Sequence, residues 1–178
     1  MKEVTFTFGR FNPPTTGHAK LVAKLAKGRG DKMLFTSHSN DKKKNPLSHK
    51  DKIKYLRKFF KSKVNVPNAN ARTVFEIANA LQNQGYTHVN MIVGSDRIRE
   101  FDTLLKKYNG VKARHGFYDF EEINIISAGE RDPDADDVSG MSASKMRHYA
   151  ETDNFSEFAK GVPSRNKKDI EGCLLYTS

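Results

Sequence analysis

The chain of 178 residues is long enough for one domain with a substantial core and too short for two domains of ordinary size. Hydrophobic residues make up 37% of it, which excludes a disordered chain, and the single cysteine, Cys173, excludes an intramolecular disulfide and a cysteine metal cluster. The formal net charge of +10 favours polyanionic ligands, which include nucleic acids, phosphorylated metabolites and nucleoside triphosphates.

The first part of the chain predicts a strand, a helix and a second strand. β-Branched and aromatic residues alternate over 4–8, which predicts a strand, and apolar residues at helical spacing predict a helix over 17–27. A short strand is predicted over 32–36. The polar, lysine-rich segment 37–47 contains proline, so we expect a loop there.

The same alternation continues along the rest of the chain. Ser48 and Asp51 form a capping-box pattern, which predicts the start of a second helix. The segments that follow are, in chain order, a brief strand over 64–66, a helix over 73–84, a strand over 88–93, a helix over 96–108, a strand over 123–127 and a helix that begins near Ser142.

Alternating strands and helices predict an α/β fold, a Rossmann-like doubly wound parallel sheet of about five strands with helices on both faces. Ligands of such sheets bind at the carboxyl ends of the strands, where the strand order reverses. Gly9 and Gly94 each follow a predicted strand directly, so we expect both at that edge. We expect one domain over 1–160 and a poorly ordered tail over 161–178.

The segment GRFNPPTTGH, residues 9–18, connects the first strand to the first helix. Its prolines stiffen the loop, and the helix start presents backbone amides together with His18, an arrangement that attracts phosphate. The last four residues, with Thr15 first and His18 last, resemble the T/HxGH signature of the nucleotidylyltransferase superfamily. The opening Gly-Arg-Phe is most similar to the archaeal type of nicotinamide mononucleotide adenylyltransferase.

Two further segments carry the same resemblance. SHSNDKKKNPLSHKDKI, residues 37–53, is similar to the stretch after the second strand in that family. MSASKMR, residues 141–147, resembles the ISSTxxR signature, with Ser142, Ser144 and Arg147 at the matching positions. The acidic stretch before it is similar to small nucleotidylyltransferase-like proteins encoded by phages. The three motifs occur in the family order across most of residues 4–150.

The resemblance implies roles for particular residues. His18 would contact the α-phosphate of a nucleoside triphosphate and stabilise the charged transition state, with Thr15 as the neighbouring donor. Ser142, Ser144 and Arg147 would bind the β- and γ-phosphates. The remaining nucleotide-binding candidates are Gly9, Arg10, Phe11, Gly17 and Lys44, with Lys42 and Lys43 as alternatives to Lys44, and the acceptor-binding candidates are Asn12, Gly94 and Asp96.

The predicted reaction transfers AMP from ATP to a small phosphorylated acceptor, most simply nicotinamide mononucleotide, and releases pyrophosphate. An acceptor phosphate has a second pKa of about 6 and is already ionised at neutral pH, so no general base is required. Mg²⁺ is expected with ATP because it balances the triphosphate charge. No protein metal site is predicted, since Asp132, Asp134, Asp136 and Asp137 lack EF-hand spacing.

Thr15 stands where many members have histidine, and the phosphopantetheine adenylyltransferase branch also has threonine there. Pantetheine phosphate as the acceptor, or cytidylyl transfer to an alcohol phosphate, therefore remains an alternative. A class I aminoacyl-tRNA synthetase fragment is disfavoured by the length of the chain. Alternatives of another class are a nucleic-acid-binding module, disfavoured because no known nucleic-acid motif is present, and a non-catalytic nucleotide sensor. We expect a cytoplasmic protein without membrane contact, with ATP and a small metabolite as partners, and possible assembly as a homo-oligomer.

Overall fold

The computed structural model describes residues 1–41, 44–114, 116–129 and 143–177. The strands are β1 (Glu3–Gly9), β2 (Asp31–Thr36), β3 (His88–Val93) and β4 (Glu122–Ser127). The helices are α1 (Thr16–Ala26), α2 (His49–Phe60), α3 (Val74–Asn83), α4 (Ile98–Lys107), α5 (Ala143–Glu151), α6 (Phe155–Gly161) and α7 (Lys167–Thr177), with a 3₁₀ turn at Ser95–Arg97. Within these ranges, no helix has both the length and the apolar character needed to cross a membrane.

The strands form one parallel sheet in the order β2-β1-β3-β4. The predicted α/β class is therefore confirmed. The brief strand expected over 64–66 forms only an isolated parallel bridge, in which Asn65 pairs with Met33. Pro67 follows and has no amide hydrogen with which to extend the ladder, so the described sheet has four strands instead of about five.

Helices cover both faces of the sheet because alternate strand residues are apolar on each side. On one face Phe6 and Met91 pack against Ile77 and Leu81 of α3. The opposite face carries a second core, whose buried residues from the sheet and from α1 and α2 include Leu34, Ile92, Val22, Leu25, Ile53 and Leu56. The two cores pack against the two faces of the sheet, and the loops extend from the carboxyl ends of the strands.

The strand order reverses between β1 and β3. The crossover that contains α1 leads from β1 to β2 on one side, and the next crossover returns past β1 to β3 on the other. The loops that leave β1 and β3 therefore diverge, and a crevice opens between them. Gly9 and Gly94 lie at this edge, as the sequence predicts.

The expected poorly ordered tail over 161–178 is wrong for residues 167–177, which form α7. Ile170 and Cys173 are buried in a third core with Tyr55 of α2 and residues of α5 and α6. A Cβ on Gly172 would lie 2.6 Å from the Tyr55 hydroxyl oxygen, so glycine permits this close packing. The physical reason for the error is that buried residues recur at helical spacing, which the short polar segment before them obscures.

Substitution of Ile170 by Ala should lower the free energy of unfolding by about 2–5 kcal/mol, because it removes a buried side chain from the third core. Leu175→Ala on the same helix is the matched control, since Leu175 is 69% exposed and its loss should change the value by under about 0.5 kcal/mol. Denaturant titration of both variants measures the difference. Equal, small effects would mean that α7 is not packed against the domain.

Candidate active site

The loop that leaves β1 is shaped by packing around Phe11. This residue is 3% exposed, has a positive φ of 47°, and its ring meets the His18 ring edge-on at 4.8 Å between centroids. A Cβ on Gly9 would lie only 2.9 Å from the Phe11 ring, so a glycine is needed there. Buried prolines, Pro13 and Pro14, follow. The loop therefore places the start of α1 firmly at the crevice.

Thr15 and His18 form a capping box at the start of α1. The Thr15 hydroxyl accepts a hydrogen bond from the His18 amide at 3.4 Å, and the Thr15 amide donates to Nδ1 of His18 at 3.0 Å. Because Nδ1 accepts this bond, the neutral imidazole carries its proton on Nε2. The box thus fixes the ring in the tautomer that offers an N–H donor from Nε2, which suits an anionic oxygen. Gly17 lies between the two residues in the first turn.

Asn12 connects this loop to the loop before α2. Its Nδ2 donates to the Leu47 carbonyl at 3.0 Å, and its Oδ1 accepts from the Leu47 amide at 2.7 Å. The residue is 1% exposed. Both ends of the amide are thereby engaged with the backbone, so this side chain holds the loop in position, and acceptor binding by Asn12 stays a prediction.

Arg147 joins the last motif to the first. Its Nη1 donates to the Asn12 carbonyl oxygen at 2.9 Å, and its Nη2 donates to the Ser144 hydroxyl at 3.1 Å. Burial, and then the positive charge of Arg10, lower the pKa of Arg147. No carboxylate in the described ranges lies within ion-pair distance of its guanidinium. Two guanidinium groups therefore face the same region, which is a binding arrangement for phosphate oxygens.

Lys52 is a third cation at this edge, and the sequence prediction missed it. It is 0% exposed, and its Nζ donates to the Ser37 hydroxyl at 3.1 Å. Burial, with a smaller contribution from Arg10, lowers its pKa to about 8. The Ser37 amide in turn donates to the Gly9 carbonyl at 2.9 Å, so the ammonium group lies beside the end of β1. A buried ammonium without a carboxylate partner is unfavourable unless an anionic ligand completes the site.

A signal for Lys52 exists in the sequence. Tyr55, Leu56, Phe59 and Phe60 form the apolar side of α2, and Lys52 precedes Tyr55 and Leu56 by three and four positions. A lysine within such a stripe is placed against the core. Its burial is therefore predictable in principle, whereas its hydroxyl partner is not.

His38 and His49 stack beside Lys52, with ring centroids 3.7 Å apart and an angle of 12° between the rings. Burial is the largest cause that lowers both pKa values, that of His49 to about 4, and the charges of Lys52 and Arg72 act in the same direction. Both rings are thus neutral at physiological pH. They form a flat, uncharged surface next to Lys52.

The structure describes some of the remaining candidate residues and not others. Ser144 lies in the first turn of α5 and accepts a hydrogen bond from Arg147. Gly94 and Asp96 lie after β3, where a Cβ on Gly94 would lie 2.8 Å from a carboxylate oxygen of Asp96. Lys44 is exposed, and its amide donates to Asp41 at 2.7 Å. Candidates outside the described residues are Ser142, Lys42, Lys43 and the four aspartates Asp132, Asp134, Asp136 and Asp137.

The described residues hold no group of three or more His, Cys, Asp or Glu side chains that could bind a metal ion. An all-protein metal cage is therefore not built from them. Proteins commonly bind Mg²⁺ together with a polyphosphate, and most of the ligands of such an ion are phosphate oxygens and water.

A comparison with protein families identifies the family of this chain. Residues 6–149 match the model of the cytidylyltransferase-like family, so the chain belongs to that family. Its class is that of the nucleotidylyltransferases. No curated protein matches the sequence significantly.

Solved structures share the fold. A candidate nicotinate-nucleotide adenylyltransferase from Vibrio parahaemolyticus is 14% identical, with a TM-score of 0.63 over 98% of this chain and 99% of that one. Nicotinic acid mononucleotide adenylyltransferase from Plasmodium falciparum, complexed with NaAD, is 16% identical, with a TM-score of 0.63 over 99% of this chain and 96% of that one. At these identities the likeness supports the fold alone.

Replacement of Lys52 by Met, which has a similar shape, should raise the free energy of unfolding at pH 7 by on the order of 1–3 kcal/mol. The reason is that it removes a buried charge that has no carboxylate partner among the described residues. The folded pKa of about 8 lies below the ordinary 10.5, so the unfolded chain binds the proton more tightly. Stability of the unsubstituted protein should therefore increase as pH rises from about 8 to 10.5, and Lys52→Met should lose that increase. Denaturant titrations across this range measure both effects, and a less stable variant with an unchanged pH slope would contradict the assignment.

Proposed function

We propose that the protein transfers AMP from ATP to the phosphate of a small acceptor, nicotinamide mononucleotide, and releases pyrophosphate. The observation that carries the proposal is the hydrogen bond from Arg147 to the Asn12 carbonyl, which brings the last motif against the loop of the first. Arg10, Arg147 and the start of α1 then offer positive charge and N–H donors to one polyphosphate.

In this reaction an acceptor phosphate oxygen attacks the α-phosphorus of ATP. The new P–O bond forms as the bond from the α-phosphorus to the bridging oxygen breaks, and pyrophosphate leaves with that electron pair. His18 donates from Nε2 to an α-phosphate oxygen and stabilises its growing charge, since Nδ1 is held by the Thr15 amide. Arg147 binds the departing phosphates. Mg²⁺, when bound to the triphosphate, neutralises charge on the leaving group.

The position of Lys52 favours an acceptor that carries a phosphate group. Its ammonium lies in a buried site near Arg10, where an acceptor phosphate would provide the missing negative charge. The neutral His38 and His49 rings beside it offer a flat surface to a ring-bearing acceptor. Nicotinate mononucleotide is the second candidate acceptor, favoured by the two solved neighbours described above, whose names refer to it.

Acceptor choice is tested by pyrophosphate release from ATP or CTP with a panel of nicotinamide mononucleotide, nicotinate mononucleotide, pantetheine phosphate and glycerol phosphate. The proposal expects release with ATP and the first compound. Preference for the second would change the acceptor and retain the class of reaction. Release with CTP alone would overturn the adenylyl assignment.

His18→Ala should lower kcat by about 10²–10³-fold, because it removes the donor to the α-phosphate. His88→Ala is the matched control, since His88 begins β3 at the opposite edge of the sheet. Steady-state kinetics of pyrophosphate release, with circular dichroism to show that both variants fold, provide the comparison. Wild-type turnover in folded His18→Ala would remove His18 from the mechanism.

Arg147→Ala should raise the KM for ATP at least about tenfold, because the guanidinium proposed to bind the triphosphate is lost. Arg165→Ala, which removes an exposed arginine, should leave it unchanged. Unaltered ATP affinity in the first variant, measured by calorimetry, would contradict the role of Arg147 in triphosphate binding.

A further inference from the structure

A second concave surface lies along α1, on the side that faces β3 and β4. Its volume is about 880 Å³, which is within the usual size of sites for small ligands. None of the described residues that line it belongs to the candidate active site. The lining residues are Thr5, Lys20, Ala23, Lys24, Lys27, Gly28, Arg29, Asn90, Ile92, Asn124, Ile125 and Ile126. We call it the α1 groove.

The charge of the α1 groove has one sign. Among the described residues that line it, four are Lys or Arg and none is Asp or Glu. Lys20, Lys24 and Lys27 recur at spacings of four and three, so they share one side of the helix. None of the four cations has an ion-pair partner among the described residues. Repulsion between these neighbouring cations destabilises α1, and a bound anionic ligand would offset that destabilisation.

The floor of the groove adds polar groups that are held in place. Asn90, which is buried, donates through Nδ2 to the Glu3 carboxylate at 3.0 Å and accepts at Oδ1 from Asn124 Nδ2 at 2.9 Å. This chain of bonds orients the exposed amide of Asn124 at the edge of the sheet. Ile92 and Ile126 supply apolar wall beside it. Cations, an oriented amide and an apolar wall together suit a ligand with both phosphates and a ring.

From these features we propose that the α1 groove is a second binding site, which takes a nucleoside polyphosphate. The lysine stripe spans eight residues, Lys20 to Lys27, or about 10 Å of helix, which matches a short run of phosphates and is too short to follow a nucleic-acid backbone. The ring of the nucleoside lies against Ile126 and Ala23, within reach of the Asn124 amide. The site is separate from catalysis and does not depend on the proposed reaction.

Calorimetric titration with ATP, in the absence of any acceptor, tests the proposal through stoichiometry. The wild type should bind two ATP molecules per chain. Lys24→Glu/Lys27→Glu should bind one, or bind the second at least about tenfold more weakly, because two attractive charges become repulsive. Lys61→Glu/Lys63→Glu is the matched control with the same change in net charge at two exposed lysines elsewhere, and it should still bind two.

The outcomes separate this site from the active site. If the wild type and both variants bind one ATP with equal affinity, the α1 groove is not a nucleotide site. If the wild type binds one and Lys24→Glu/Lys27→Glu binds none, the groove is supported and the proposed function is weakened. Fluorescence anisotropy with a labelled RNA oligonucleotide provides a further check. Loss of RNA binding in Lys24→Glu/Lys27→Glu, without any change in ATP binding, would overturn the proposal in favour of a nucleic-acid surface.

Discussion

A single hydrogen bond, from the Arg147 guanidinium to the Asn12 carbonyl, joins two segments 135 residues apart in the chain. Asn12 can offer this carbonyl because its own side chain is fastened to Leu47, and Arg147 can reach it because α5 is anchored in the third core. Each motif alone is a short pattern on a helix start or a loop. The contact makes them parts of one site, and it lies at the reversal of strand order, where this class of sheet binds its ligands.

The electrostatics of that site are arranged before any ligand binds. Arg10 lowers the pKa of both Arg147 and Lys52, so the three cations lie close enough to repel one another. Folding keeps the three cations together in spite of that repulsion. It also keeps Lys52 buried, although burial removes the water that would hydrate its charge. Such preorganised positive charge favours a ligand with several negative groups, and it needs no rearrangement when charge develops during phosphoryl transfer. Stability and the proposed function therefore oppose one another at Lys52.

Local patterns in the sequence predict local structure well in this chain. Buried strand β3 has the predicted bounds, and Ser48 caps α2 as its capping-box pattern with Asp51 predicts, because both depend on near neighbours. The contact of Asn12 with Leu47 depends on the path of the chain over 35 residues, so local sequence patterns do not predict it. Likewise, α7 is stable through Tyr55 and the third core, and its own sequence gives only a weak indication. The resemblances to the archaeal type of nicotinamide mononucleotide adenylyltransferase and to phage-encoded proteins stay predictions.

The most direct measurement is a crystal structure of the protein with a non-hydrolysable ATP analogue. The account predicts an α-phosphate oxygen within hydrogen-bond distance of His18 Nε2, and β- or γ-phosphate oxygens on the Arg147 guanidinium of the same molecule. A triphosphate bound at the carboxyl edge of the sheet without contact to one of these two side chains would contradict it.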